Sequence, residues 1–158
     1  MKKKKKRLKV LFCGSFKFFE EMEKIALECR RLGFDCYLPK FAFAASTPAE
    51  IEKIKEIKKR DGLREEEFAK VIRVKERFYR LLRECDVVVV FDKDGYIGLS
   101  VAAEIGAAHI LGKPTLFIEE PEDIGLRALL RFSPHFKVVP LRRLPEELRN
   151  LDTWRQKK

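Results

Sequence analysis

After Asp86 come five apolar residues in succession, Val87-Val88-Val89-Val90-Phe91. In an extended chain such a run places hydrophobic side chains on both faces, which only a strand covered from both sides can bury. Asp92-Lys93-Asp94-Gly95 follows at once and has the residue types of a turn. A helix is predicted over about 100–111, stopped by Gly112-Lys113-Pro114. One doubly covered strand feeding a helix already commits the chain to an α/β class with a parallel sheet.

The rest of the sequence repeats that alternation. Residues 8–13 read as a buried strand ending at Gly14-Ser15. Phe19, Met22, Ile25, Ala26, Cys29 and Leu32 recur at helical spacing, and Gly33 stands at the C-cap. Residues 34–38 make a second strand. Thr47-Pro48-Ala49-Glu50 has the form of a capping box with proline at the first helical position, predicting a helix to about residue 60. A longer helix is predicted over about 64–84. Strands at 115–118 and 136–139 then alternate with helices at 124–131 and 145–154. Five strands with right-handed crossovers favour a doubly wound sheet of order 2-1-3-4-5 with helices on both faces. Residues 1–7 are expected to be a basic disordered tail, and 8–155 a single domain.

Composition narrows the functional classes. The chain has 158 residues, long enough for a real core, and no apolar run reaches the roughly 20 residues of a membrane span. We expect a soluble, cytoplasmic protein. Charged residues make up 38% of the chain, against one Asn and one Gln, a pattern expected of thermophiles. Lys2–Arg7 carry six of the +10 net charges, but without interleaved aromatic residues, so a nucleic-acid partner is not the expectation from the tail. Cys13, Cys29, Cys36 and Cys85 lack metal-type spacing and read as buried free thiols. With only His109 and His135 besides, we expect neither metal nor cofactor, and His109 is read as structural or exposed.

In the 2-1-3-4-5 order, strands one and three are neighbours whose helices leave to opposite faces. Ligands bind at that switch point, beyond the carboxyl ends of the strands. The bordering loops are Gly14-Ser15-Phe16-Lys17 and residues 92–100. Ser100 is placed to cap the helix that carries Glu104, which lies one turn inside and leans back towards the crevice. A carboxylate near a helix N-terminus is favoured electrostatically and can act as a nucleophile. Asp92 and Asp94 offer a second carboxyl group, and retaining glycosyl transfer uses two, about 5–5.5 Å apart. Gly14, Ser15 and Gly98 permit close backbone approach, and Lys17 adds charge for a phosphate. No GxxxxGK[ST] or GxGxxG follows the first strand, which disfavours a triphosphatase or dinucleotide enzyme. Phe41 and Phe43 are candidates either to stack on a base from a lid over 40–62 or to cover the sheet edge.

Four segments together resemble a known family: LFCGS at 11–15, DVVVVFDKDGYIG at 86–98, EIGAA at 104–108 and LGKP at 111–114. They are similar, in order and spacing over most of 8–120, to the nucleoside 2-deoxyribosyltransferases and the related deoxynucleoside monophosphate N-glycosidases. That resemblance implies a flavodoxin-like sheet and cleavage of the bond between a 2-deoxyribose and its base through a covalent glycosyl-enzyme. It implies Glu104 as nucleophile, Asp92 or Asp94 assisting the leaving base, and Ser15 and Ser100 holding a 5′-phosphate. The first loop with Phe16 and Lys17, and the second with Gly95, Tyr96 and Gly98, would line a nucleoside or nucleotide site, and a homodimer is expected. Two departures stand out. Leu11 or Phe12 occupies the region where the family's first strand carries a glutamate-orienting tyrosine, leaving Tyr96 as a candidate replacement. The loop between Asp86 and Glu104 is also longer than in the phosphate-specific relatives.

Overall fold

The computed structural model describes residues 6–41, 48–60 and 62–156. Five strands form one sheet: β1 (Lys9–Gly14), β2 (Asp35–Tyr37), β3 (Val87–Phe91), β4 (Thr115–Phe117) and β5 (Phe136–Val138). All neighbouring pairs are parallel and the order is β2-β1-β3-β4-β5. This is the flavodoxin-like arrangement, flanked by helices. The switch point between β1 and β3 lies where the sequence put it, with Cys13 opposite Val90 and Gly14 opposite Phe91.

The chain divides into two compact units, one built from residues up to Pro39 and from Leu81 onward, the other from Lys40–Arg80. The sheet belongs to the first, with α1 (Phe19–Arg31), α4 (Leu99–Ile110), α5 (Ile124–Phe132) and α6 (Leu144–Gln156). The β1–α1–β2 and β3–α4–β4 crossovers run in opposite directions from the switch point, so their right-handedness sends α1 and α4 to opposite faces. Strand alternation shows the division. Gly14 and Phe91 face α1, because a Cβ on Gly14 would stand 2.9 Å from Met22 Sδ and 3.2 Å from Phe91 Cβ. Cys13 and Val90 therefore face α4.

The core follows from this layering. Val87–Val90 are at most 1% exposed, as a strand covered on both faces requires. Each such valine, fully buried, contributes roughly 1.5–3 kcal/mol of apolar transfer. Helix α1 buries Met22, Ala26 and Cys29 at i, i+4 and i+7, and ends at Gly33, whose φ of 97° a side chain would resist. The lysine of the 111–114 segment is structural. Lys113 Nζ donates to the carbonyls of Arg83 (2.7 Å) and Cys85 (2.8 Å), satisfying the C-terminal end of the helix that leads into β3. His109 is structural, its Nδ1 3.0 Å from Ser133 Oγ and its ring against Phe136. All four cysteines are buried and free. Among the described residues no helix is long and apolar enough to cross a membrane.

The second unit holds α2 (Pro48–Lys59) and most of α3 (Glu65–Glu84). Its buried carboxylate, Glu67, accepts from Arg60 through both oxygens (2.7 and 2.8 Å) and from the backbone N–H of Arg64 (2.9 Å). The Arg60 guanidinium and this backbone bond hold its pKa below the usual carboxylate value. Of the expected capping box, Pro48 begins α2 as read, while Thr47 lies outside the described residues, as does Phe43.

Candidate functional site

Helix α4 buries Val101, Glu104, Ile105 and Ala108, a stripe at i, i+3, i+4 and i+7. Glu104 therefore occupies a core position of its helix and is only 8% exposed. A buried carboxylate is costly unless something bonds it. Across the switch point, Cys13 Sγ on β1 donates to Glu104 Oε2 at 3.0 Å, in a buried contact between residues 91 apart in sequence. This contact places Glu104 at the carboxyl end of β1, beside the β1–β3 seam.

Asp92 comes two residues after Val90, the register partner of Cys13, and so continues the row of β3 that faces α4. It is 0% exposed. Its Oδ1 accepts the backbone N–H of Glu119 at 3.0 Å, just past β4. Its Oδ2 is buried with no hydrogen-bond partner among the described residues. Burial pushes its pKa from 3.8 up to about 7, only partly opposed by the Glu119 N–H. A carboxyl group poised near neutrality, with one oxygen uncommitted, can give and take a proton.

Asp94 is set differently. It is exposed, at φ 58°, within a short 3-10 turn over Lys93–Gly95. Aspartate tolerates that left-handed conformation through its short polar side chain, so the structure gives Asp94 the turn-forming part. Gly95 has φ 72° and is packed so closely that a Cβ would meet Glu122 Cγ at 2.8 Å and the carbonyl of Glu120 at 3.1 Å. Its own carbonyl accepts the N–H of Glu122 at 3.0 Å. The close approach at Gly95 is to the 120–122 loop.

The first loop closes against the second through aromatic contacts. Ser15 precedes a 3-10 turn over Phe16–Phe18, and its carbonyl accepts the N–H of Phe18. Lys17 Nζ stands 3.2 Å above the Tyr96 ring and 4.8 Å from that of Phe18, and Phe18 meets Tyr96 edge-on with centroids 6.2 Å apart. Such a cation over an aromatic face is worth about 0.5–1 kcal/mol at exposed sites. Tyr96 and Phe16 are both part-exposed large aromatics on this rim. The Tyr96 hydroxyl lies 3.6 Å from where a Cβ on Gly98 would stand. Lys93 is drawn away from the rim, bonding Glu21 of α1 at 2.9 Å.

One expectation is corrected at the helix start. Gly98, not Ser100, is the N-cap of α4, and no side chain caps it. The helix begins a residue earlier than expected, so Ser100 sits inside the first turn, where helical φ/ψ turns its hydroxyl away from the N–H groups a cap would serve. Ser100 is exposed there.

The residue that sequence reasoning missed is Cys13. It was read only as a buried thiol, yet it bonds Glu104. The signal was available in part: Cys13 is the last residue before Gly14 on a strand that must border the crevice. Its partner, 91 residues away, was not.

No family model and no curated protein matches the chain. Solved structures do. A conserved protein from Enterococcus faecalis V583 superposes with a TM-score of 0.55 at 18% identity, covering 92% of this chain and 99% of the other. This likeness shows a shared fold over nearly the whole length. Two further matches are to enzymes of the kind the motifs resemble. A 2-deoxyribosyltransferase from Bacillus psychrosaccharolyticus gives 0.43 at 17% identity, covering 73% of this chain and 75% of that one. The CMP N-glycosidase of Clostridium botulinum gives 0.44 at 19%, covering 92% and 98%. Both TM-scores are too low to bear on activity.

Proposed function

We propose that the chain cleaves or transfers the N-glycosidic bond of 2-deoxynucleosides or their 5′-monophosphates, with Glu104 as nucleophile and Asp92 as acid and base. The observation that carries this reading is Asp92, a fully buried carboxyl with one uncommitted oxygen and a pKa near 7, at the sheet end where Glu104 is held. The resemblance left Asp92 and Asp94 open as the acid. Burial and poise favour Asp92, since the exposed Asp94 is occupied in forming a turn.

In the first step a Glu104 oxygen attacks C1′ and the C1′–N bond breaks. Its electron pair leaves with the base, which takes the Asp92 proton. In the second, water or another base attacks C1′ while the Asp92 carboxylate accepts the released proton, and the C1′–Glu104 bond breaks. Cys13 orients the glutamate from β1, where the resembling family uses a tyrosine, by donating to Oε2, with Oε1 as the attacking oxygen. Phe16, Lys17 and Tyr96 form the rim, with the uncapped N-terminus of α4 at Gly98 and Ser100 beside it.

Incubation with a panel of deoxynucleosides and their 5′-monophosphates, with and without a second free base, tests this directly. Base release by the wild-type protein, lowered at least about 10³-fold in Glu104→Ala, is the expected result. Exchange into the added base separates transferase from hydrolase. A second reading has one observation in its favour: Glu104 is turned inward onto a core thiol. In that reading the crevice binds nucleotides without turning them over. Nucleotide binding without base release, unchanged in Glu104→Gln, would decide for it.

A further inference from the structure

The second unit carries a cleft that the glycosidic site does not use. Lys40, Phe41, Lys70, Arg73, Val74 and Arg77 line a shallow, open space of about 370 Å³. Lys70, Arg73 and Arg77 recur at i, i+3 and i+7 of α3 and so share a face along about 10 Å of helix, the length of two or three nucleotide steps. Of the six described lining residues four are cations and none is a carboxylate. In the first unit, by contrast, the clefts beside Arg149 and beside Arg30 include Asp152 and Asp35 respectively.

Three of these cations have no ion partner among the described residues of the unit. Among the described residues Lys40, Lys70 and Arg73 make no ion pair, although Glu66 and Glu76 stand four and three positions from Lys70 and Arg73 on the same helix. Like charges at helical neighbour spacing cost about 0.2–0.5 kcal/mol per pair, so the arrangement is one that gains from an external anion. Phe41 is half-buried in the wall and Val74 supplies an apolar floor. Positive charge tracking along one line, with an aromatic face beside it, suits a sugar–phosphate backbone whose bases stack as they pass. The openness of the cleft suits a strand running over it better than a small molecule, whose sites enclose most of the ligand.

We propose that this face of α3 binds single-stranded nucleic acid, phosphates on Lys40, Lys70, Arg73 and Arg77 and a base on Phe41. Binding of fluorescein-labelled dT12 and U12 is to be followed by anisotropy at 50–200 mM salt. The variants are the triple Lys40→Glu, Lys70→Glu, Arg73→Glu, the single Phe41→Ala, and a control triple reversing Lys24, Arg31 and Arg142, exposed cations of the first unit. A protein with Lys2–Arg7 replaced by serine measures what the tail adds. The cleft triple is expected to weaken binding at least about 10-fold beyond the control and to lower the salt slope by about 2, at roughly 0.7 per phosphate contact. Phe41→Ala is expected to weaken strand binding several-fold with the salt slope unchanged. Should the cleft triple misfold by circular dichroism, Lys70→Gln with Arg73→Gln replaces it, with about two-thirds of the slope change. Equal losses in the cleft and control triples, loss with the tail alone, or no strand binding at 50 mM salt each overturn the proposal. So does competition by tripolyphosphate with affinities independent of length between dT4 and dT12, which would assign the cleft to a small polyphosphate.

Discussion

Asp86 and Asp92 stand at opposite ends of β3, and their surroundings differ in kind. Asp86, half-buried at the amino end, accepts the backbone N–H of Lys9 through Oδ2 at 2.8 Å, while its own N–H bonds the Lys9 carbonyl. It locks β1 to β3. Asp92, at the carboxyl end, is more deeply buried, has one oxygen without a partner among the described residues, and is pushed up to about 7. A related contrast separates the two buried glutamates. Glu67 is held by an arginine and a backbone N–H, whereas Glu104 accepts from a neutral thiol on β1. Asp86 and Glu67 hold the fold through amides and a cation. Asp92 is buried with less compensation, which costs stability and makes it chemically useful.

The sharpest way to break this comparison is to neutralise each aspartate. Asp92→Asn is expected to lower the rate of base release by about 10²–10⁴-fold, the usual worth of a general acid. It is also expected to stabilise the protein at alkaline pH. The folded-state pKa of Asp92 lies above its ordinary 3.8, so its contribution to stability is fully present below about pH 4 and is lost as pH rises through about 7. Thermal melts at pH 8 should therefore place Asp92→Asn above the wild type, and the gap should close by pH 4–5. A variant that is destabilised at both pH values would make Asp92 a structural residue like Asp86.

The pH dependence of base release by the wild-type protein gives a second measurement. On the proposed mechanism Asp92 gives its proton to the departing base, so kcat/KM should fall about tenfold per pH unit well above pH 7. A profile flat to pH 9 would remove Asp92 from the proton-transfer step. Next in size, Cys13→Ala should lower kcat about 10-fold with little change in KM, because it lets Glu104 take other rotamers. Cys13→Ser, which retains a donor, should recover most of that loss. Equal effects of the two substitutions on kcat and on the melting temperature would reduce the thiol to packing. The smallest effect on turnover is expected from Asp86→Ala, which should leave kcat within about twofold while costing about 1–3 kcal/mol in denaturant unfolding, as an unmade part-buried hydrogen bond does.

Much of this was legible from residues alone because local patterns carried it. The five apolar residues after Asp86 announced a doubly covered strand, and the alternation of elements led to the strand order 2-1-3-4-5. That Glu104 shares a buried stripe with Val101, Ile105 and Ala108 was seen only in the structure. Helix ends were read to within a residue or two, and at Ser100 that small error mattered, because capping depends on which residue leaves helical geometry.

What the sequence by itself determined was therefore the sheet, its order and its switch point, since hydrophobic periodicity and crossover handedness are local or topological rules. Only the tertiary structure decided which aspartate is buried, that Gly95 is pressed against the 120–122 loop, and that Cys13 bonds Glu104. Those facts depend on groups far apart in the chain. Burial and hydrogen bonding are properties of the assembled surroundings, and the burial that lifts Asp92 does not exist until the chain has packed around it.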